Sequence, residues 1–129
     1  MEQILQHIKT HQRILIASHA EPDGDCLGSL VALGLALGKL DKTITLFNSS
    51  PIPAVYRFLP DIKKITQKAD GLDKYDAVVV LDCGDLYRVG VVAPVIDRGK
   101  VVINIDHHVT NSRFGSMQHM FFTFDQSPF

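Results

Sequence analysis

The chain has 129 residues, 46% of them apolar, enough for one domain with a genuine core. Its formal net charge of −1 argues against a long duplex nucleic acid as partner, because such a ligand calls for a basic face. The longest apolar stretch, residues 27–38, falls short of the ~18–20 residues that cross a bilayer, and the first residues lack the basic and apolar regions of an export signal. A cytoplasmic protein that engages no membrane is therefore expected. With no export signal and only one pair, Cys26 and Cys83 read as small core residues and not as a disulfide or as soft ligands.

In chain order, Ile4, Leu5 and Ile8 have the spacing of a short amphipathic helix over 2–10. Residues 13–17 form a continuous apolar run, which predicts a strand covered on both faces. A polar turn, His19-Ala-Glu-Pro-Asp-Gly-Asp25, leads into a helix over about 25–39. That helix is apolar on nearly all sides and is expected to be deeply packed. Gly28, Gly34 and Gly38 each cost it about 1 kcal/mol relative to alanine, for which close approach to the sheet is a compensating reason.

Residues 43–47 are rich in strand formers. A loop at 48–53 precedes one or two helical turns at 54–59, stopped by Pro60, and 62–66 has the character of a short edge strand. Residues 77–81 predict a second fully buried strand ending at Asp82. Residues 91–97 read as a short helix with Pro94 in its first turn, and 101–105 as the last clear strand. This alternation predicts a three-layer α/β domain: an open, mainly parallel sheet with helices on both faces and right-handed crossovers. Residues 116–129 differ, with four of the seven phenylalanines in the last nine positions and no regular period. They read either as a terminal edge strand or as an unstructured tail.

Three strands end in candidate ligands: His19 with Asp23 and Asp25, then Asp82, then Asp106-His107-His108. Alone, an aspartate after a strand is a turn former or helix cap, and adjacent histidines are ordinary surface residues. Parallel strands share one C-terminal edge, however, so the three clusters converge there, which points to a metal site. Two divalent cations about 3.5–4 Å apart can clamp a phosphoryl group for in-line attack. Mixed imidazole and carboxylate shells suit Mn, Fe, Co or Zn, and the predominance of carboxylates favours Mn²⁺. A plain dinucleotide binder fits poorly. The first turn lacks Gly-x-Gly-x-x-Gly, and its Glu21, Asp23 and Asp25 would repel a pyrophosphate unless metals intervened.

Taken together, His19-x-x-x-Asp23-x-Asp25-x-x-Gly28-Ser29, Asp82-Cys83 and Asp106-His107-His108 resemble the DHH phosphoesterase family. Pro22-Asp-Gly-Asp-Cys-Leu-Gly-Ser29, Asp82-Cys-Gly-Asp-Leu-Tyr-Arg88-Val-Gly90 and Asp106-His-His-Val-Thr-Asn111-x-x-Phe114-Gly115 are most similar to its nanoRNase branch, which also dephosphorylates 3′-phosphoadenosine 5′-phosphate (pAp). The resemblance runs from about residue 10 to 115. It implies that His19 and Asp23 bind one metal, that Asp25 and His107 bind the other, and that Asp82 bridges them. It also implies that His108 contacts the scissile phosphate and that Asp106 steadies a neighbouring ligand. Arg88 and Asn111 become candidates for substrate or loop contacts.

One departure accompanies the match. The family normally continues with a helix and a strand that carry a fourth metal-binding aspartate, followed by a smaller domain that closes over substrate. Here the resemblance stops near Gly115, and Asp125, the one acidic residue after it, lies in surroundings unlike the fourth motif. On this reading residues 1–115 are a DHH-type domain truncated at its C-terminal side, 116–129 are an atypical tail, and the closing domain is absent. The expected function is hydrolysis of short oligoribonucleotides or pAp, weak or lost in this form. The alternatives are a non-catalytic metal- or nucleotide-binding remnant and the family's pyrophosphatase, cyclic-dinucleotide phosphodiesterase and single-strand exonuclease activities. Apolar surface left uncovered would favour homo-oligomers.

Overall fold

The computed structural model describes residues 2–68, 74–90, 93, 101–108, 111, 112 and 114, and the backbone of 117–120. Its elements are α1 (Glu2–Thr10), β1 (Arg13–Ser18), α2 (Gly24–Gly38), β2 (Thr43–Phe47), β3 (Ile65–Thr66), β4 (Ala77–Leu81), β5 (Val101–Asp106) and β6 (Met117–Met120). The sheet runs in the order β3-β2-β1-β4-β5-β6, and every pairing is parallel. The central strands β1 and β4 are buried almost throughout, with Arg13 the exception at the entry to β1. This is why they read as unbroken apolar runs and not as alternating ones.

Alternation along the strands divides the core in two. Ile14, Ile16, Val79, Leu81 and Ile103 face one side, where Ile4 and Ile8 of α1 and Leu30 and Leu37 of α2 cover them. Leu15, Ala17, Phe47, Val78, Val80 and Val102 face the other side, against Cys83, Leu86, Val89 and Ala93. Leu86–Val89 is a 3-10 turn capped by Asp85, whose side chain accepts from the Tyr87 N–H. The α/β fold predicted from the sequence is therefore present. The helix expected over 91–97 lies outside the described residues, apart from Ala93.

Three local expectations change. Helix α2 is not packed on all sides, because a helix in an outer layer buries only the stripe that meets the sheet. Its buried set is Cys26, Leu27, Leu30, Val31 and Leu37, while Leu35 remains 40% exposed. Of its glycines, only Gly34 marks a close approach: a Cβ there would come within 2.8 Å of Leu46 Cδ2, whereas Gly28 and Gly38 have nothing within 4 Å. The segment 62–66 is strand only at Ile65–Thr66. Asp61 turns left-handed, Ile62–Lys64 forms a 3-10 turn, and Ile62 is spent packing on Leu27 and Val31 of α2.

The tail begins as an edge strand, with β6 paired to β5 from Ile103↔Met117 to Asp106↔Met120. Residues 121–129, which hold the four late phenylalanines, and the expected boundary at 115/116 lie outside the described residues.

Gly90 closes the 3-10 turn with φ of +100° and ψ of −146°, a conformation open to glycine alone. A side chain there would also run into Ser49. Gly90→Ala should cost about 1–3 kcal/mol of unfolding free energy. Urea titration measures it, and an unchanged midpoint would show that this backbone is not constrained.

Candidate metal centre

Strand register brings the chemistry together. Ser18 pairs with Leu81 and Leu81 with Ile105. The next residues, His19, Asp82 and Asp106, therefore stand at one level on the C-terminal edge, where open α/β sheets bind ligands.

Asp82 is the middle of the group. It leaves β4 in a left-handed conformation, φ +52°, which a short polar side chain tolerates, and its N–H donates to the Ile105 carbonyl at 3.0 Å. Its carboxylate is 7% exposed. Oδ1 lies 2.7 Å from His107 Nε2, and Oδ2 lies 3.6 Å from His19 Nε2. Each oxygen thus faces a different imidazole.

His19 is buried, and its Nδ1 is held at 2.8 Å by the Ala20 carbonyl. That contact fixes Nδ1 as the donor and leaves Nε2 for Asp82 and for Asp23, whose Oδ1 is 3.9 Å away. Asp23 is also the N-cap of α2, accepting from the Cys26 N–H at 2.9 Å. Asp25, in the first turn of α2, places Oδ2 at 3.3 Å from His107 Nε2. The side chains of Asp23 and Asp25 are 62% and 60% exposed, so this rim of the site meets water.

His108 tilts across His107, with ring centroids 4.7 Å apart. Its Nδ1 is 2.5 Å from Asp106 Oδ1. The Asp106 side chain is fully buried, and its second oxygen accepts from Asn111 Nδ2 at 2.7 Å. Asn111 Oδ1 in turn accepts from the buried Asn104 at 3.4 Å. The structure thus gathers His19, Asp23, Asp25, Asp82, Asp106, His107 and His108, and it sets Asn111 behind Asp106. Arg88 contributes its carbonyl, which accepts from the Ala20 N–H at 2.6 Å, while its side chain is exposed.

Charge follows from these contacts. The hydrogen bond to Asp82, helped by Cys26, outweighs burial and pushes His19 up to about 10. Burial pushes Asp82 up, but hydrogen bonds from His19 and His107 outweigh it and leave the carboxyl below its ordinary range. A proton on the His19 imidazole therefore pairs with the Asp82 carboxylate in the metal-free chain. Burial raises the Cys83 thiol to about 11, so it is held neutral and makes a poor metal ligand.

The donor set fits divalent cations. His19 and Asp23 offer ligand atoms within 4.8 Å of one another, Cys26 adjoining them, and Asp82, Asp106, His107 and His108 form a second such group. Imidazole nitrogens and carboxylate oxygens in this mixture suit first-row divalent ions.

Comparison with known proteins bears on what this edge is. The profile of the DHH family, N-terminal domain, matches residues 13–128. The chain belongs to the DHH family. Within it, the chain is 40% identical over 104 residues to the bifunctional oligoribonuclease and PAP phosphatase NrnA of Thermus thermophilus. That alignment takes in 81% of this chain and 30% of the relative, so this DHH-family chain spans under a third of the relative's length. Its fold is also that of an exopolyphosphatase-related protein from Bacteroides fragilis, with a TM-score of 0.81 and 24% identity, covering 92% of this chain and 37% of the other.

Reading the sequence missed Asn48, Ser50 and Asn104. Asn48 ends an apolar strand at the same edge as His19 and Asp82, and that position was the available signal.

Cation binding to the metal-free chain should release protons, because His19 must give up the one it holds. Calorimetric titrations in buffers of different ionisation heat should show net release at pH 7, and the dissociation constant should fall as pH rises toward 10. The same sign applies to stability. The raised His19 stabilises the metal-free chain fully below its ordinary 6.5, and that contribution is lost as pH rises through about 10. Cation affinity independent of pH across this window would contradict the protonated pair.

Proposed function

We propose that this DHH-family chain is a divalent-cation-dependent phosphoesterase domain acting on short oligoribonucleotides and on pAp, with two ions in the site and Mn²⁺ preferred. The observation that carries this reading is the Asp82 carboxylate set between the imidazoles of His19 and His107. The name of the Thermus relative supports the substrate class. The net charge of −1 favours a small substrate over a long polymer. Among the described residues no helix is long and apolar enough to cross a membrane, in keeping with a cytoplasmic setting.

In this reading His19 and Asp23 would hold one ion, Asp25 and His107 would hold the other, and Asp82 would serve both. When bound, the ions supply positive charge at the phosphoryl oxygens and make the attacking water more acidic. His108 does not need to be a ligand. Asp106 accepts from its Nδ1–H, so its Nε2, in the imidazolium form that carries a proton on both nitrogens, can donate a hydrogen bond to a phosphoryl oxygen as negative charge develops there. Asn111 keeps the Asp106 carboxylate from rotating. The exposure of Asp23 and Asp25 leaves water in contact with the rim, which weakens electrostatic stabilisation, so turnover by this chain is expected at or below the low end of the enzyme range, about 1 s⁻¹.

The same open rim favours the second reading, a domain that binds cation and nucleotide without turnover. Phosphate release from pAp and chain shortening of a diribonucleotide, each with Mn²⁺ and with chelator, distinguish the two. Catalysis predicts cation-dependent release that Asp82→Asn lowers at least about a hundredfold. His108→Ala should lower kcat while leaving cation affinity near that of the unaltered chain. If the unaltered chain and Asp82→Asn were equally inactive on both substrates while still taking up cation, the binding reading would stand instead.

A further inference from the structure

We infer that Asn48 is a positioning residue that sets the His19 end of the cation site. The inference rests on the proposed cation-dependent chemistry.

Asn48 directly follows β2, level with Ser18 of β1, and is completely buried. A primary amide buried this deeply is costly unless its hydrogen-bonding groups find partners. Here they do. Nδ2 donates to Ser18 Oγ at 3.0 Å and to the His19 carbonyl at 2.8 Å, while Oδ1 accepts from the Ser50 N–H at 2.9 Å. The orientation of the amide follows from its partners, since a carbonyl can only accept and a backbone N–H can only donate. Filling space between two strands would need none of this, and an apolar side chain would serve.

The contacts converge on one short segment. Ser50 Oγ accepts from the Glu21 N–H at 2.8 Å, and the Arg88 carbonyl accepts from the Ala20 N–H at 2.6 Å. The Cys26 thiol donates to the same His19 carbonyl, at 3.8 Å. Every residue from Ser18 to Glu21 is thus gripped from outside, and Asn48 or Ser50 supplies the grip at three of the four. His19 Nδ1 is itself tied to the Ala20 carbonyl, so the ring moves with this backbone. Where the segment sits decides where Nε2 aims. Asp25 and His107 stand together at the other end of the site.

The test uses the full chain, Co²⁺ uptake followed by its visible absorption, and thermal unfolding as a control. Asn48→Ser puts a short hydroxyl in place of the amide and loses the paired donors. Asn48→Asp keeps the shape but turns an oxygen toward the His19 carbonyl. Each should weaken Co²⁺ binding about 10–100-fold and alter the absorption bands. In a His19→Ala background, Asn48→Ser should cause no further loss, because its effect runs through the missing ring. Ser50→Ala, at a half-buried position, should show a smaller loss in the same direction and supplies the answer if the Asn48 variants do not fold. Unchanged affinity in a folded Asn48 variant, or in Ser50→Ala should it be the only one to fold, would overturn the inference, as would a loss that adds fully to that of His19→Ala. An unaltered chain that takes up no Co²⁺ would overturn the cation reading and this inference together.

Discussion

A single buried carboxylate governs the C-terminal edge of this domain. Asp82 sits where three parallel strands end level with one another, and it faces both the His19 and the His107 side of the site. Its burial would be unfavourable for an isolated charge. The two imidazoles make it favourable by hydrogen bonding, and the same contacts keep His19 protonated in the metal-free chain. A proton on His19 thus offsets the charge of the carboxylate beside it.

Around this carboxylate stand two supports of similar design. On one side Asn48 and Ser50 hold the backbone that carries His19. On the other, Asn104 and Asn111 steady Asp106, which holds His108. In each, a buried asparagine joins a strand to the segment that bears an imidazole of the edge. Amides suit this work because they satisfy donors and acceptors together without adding charge to a site already rich in carboxylates.

Much of this was legible before any coordinates. The unbroken apolar runs of β1 and β4 reported their burial on both faces, and the polar residues that stop them marked the edge where the imidazoles and carboxylates gather. The limits came from effects that linear patterns do not carry. The apolar content of α2 could not tell a buried helix from one that leaves Leu35 exposed in an outer layer. Ile62 and Ile65 looked like one strand, but the left-handed turn at Asp61 and the packing of Ile62 on Leu27 divided them. Asn48 looked like an ordinary loop residue because its partners, Ser18 and His19, lie some thirty positions earlier. Spacing shows which residue types are available; it does not show which hydrogen bonds bury them.

The register of β1, β4 and β5 has a consequence for how the site comes into being. Its imidazoles and carboxylates come from segments far apart in the chain, so no local fragment holds more than a part of it. A slip of one residue between β1 and β4 would turn Val78, Val79 and Val80 to the wrong faces, exchanging the two halves of the core, while moving Asp82 away from His19. The hydrophobic layers therefore proofread the alignment of the polar edge. Alignment of the imidazoles and carboxylates at this edge is thus tied to valine and isoleucine side chains that lie in the core and do not touch them.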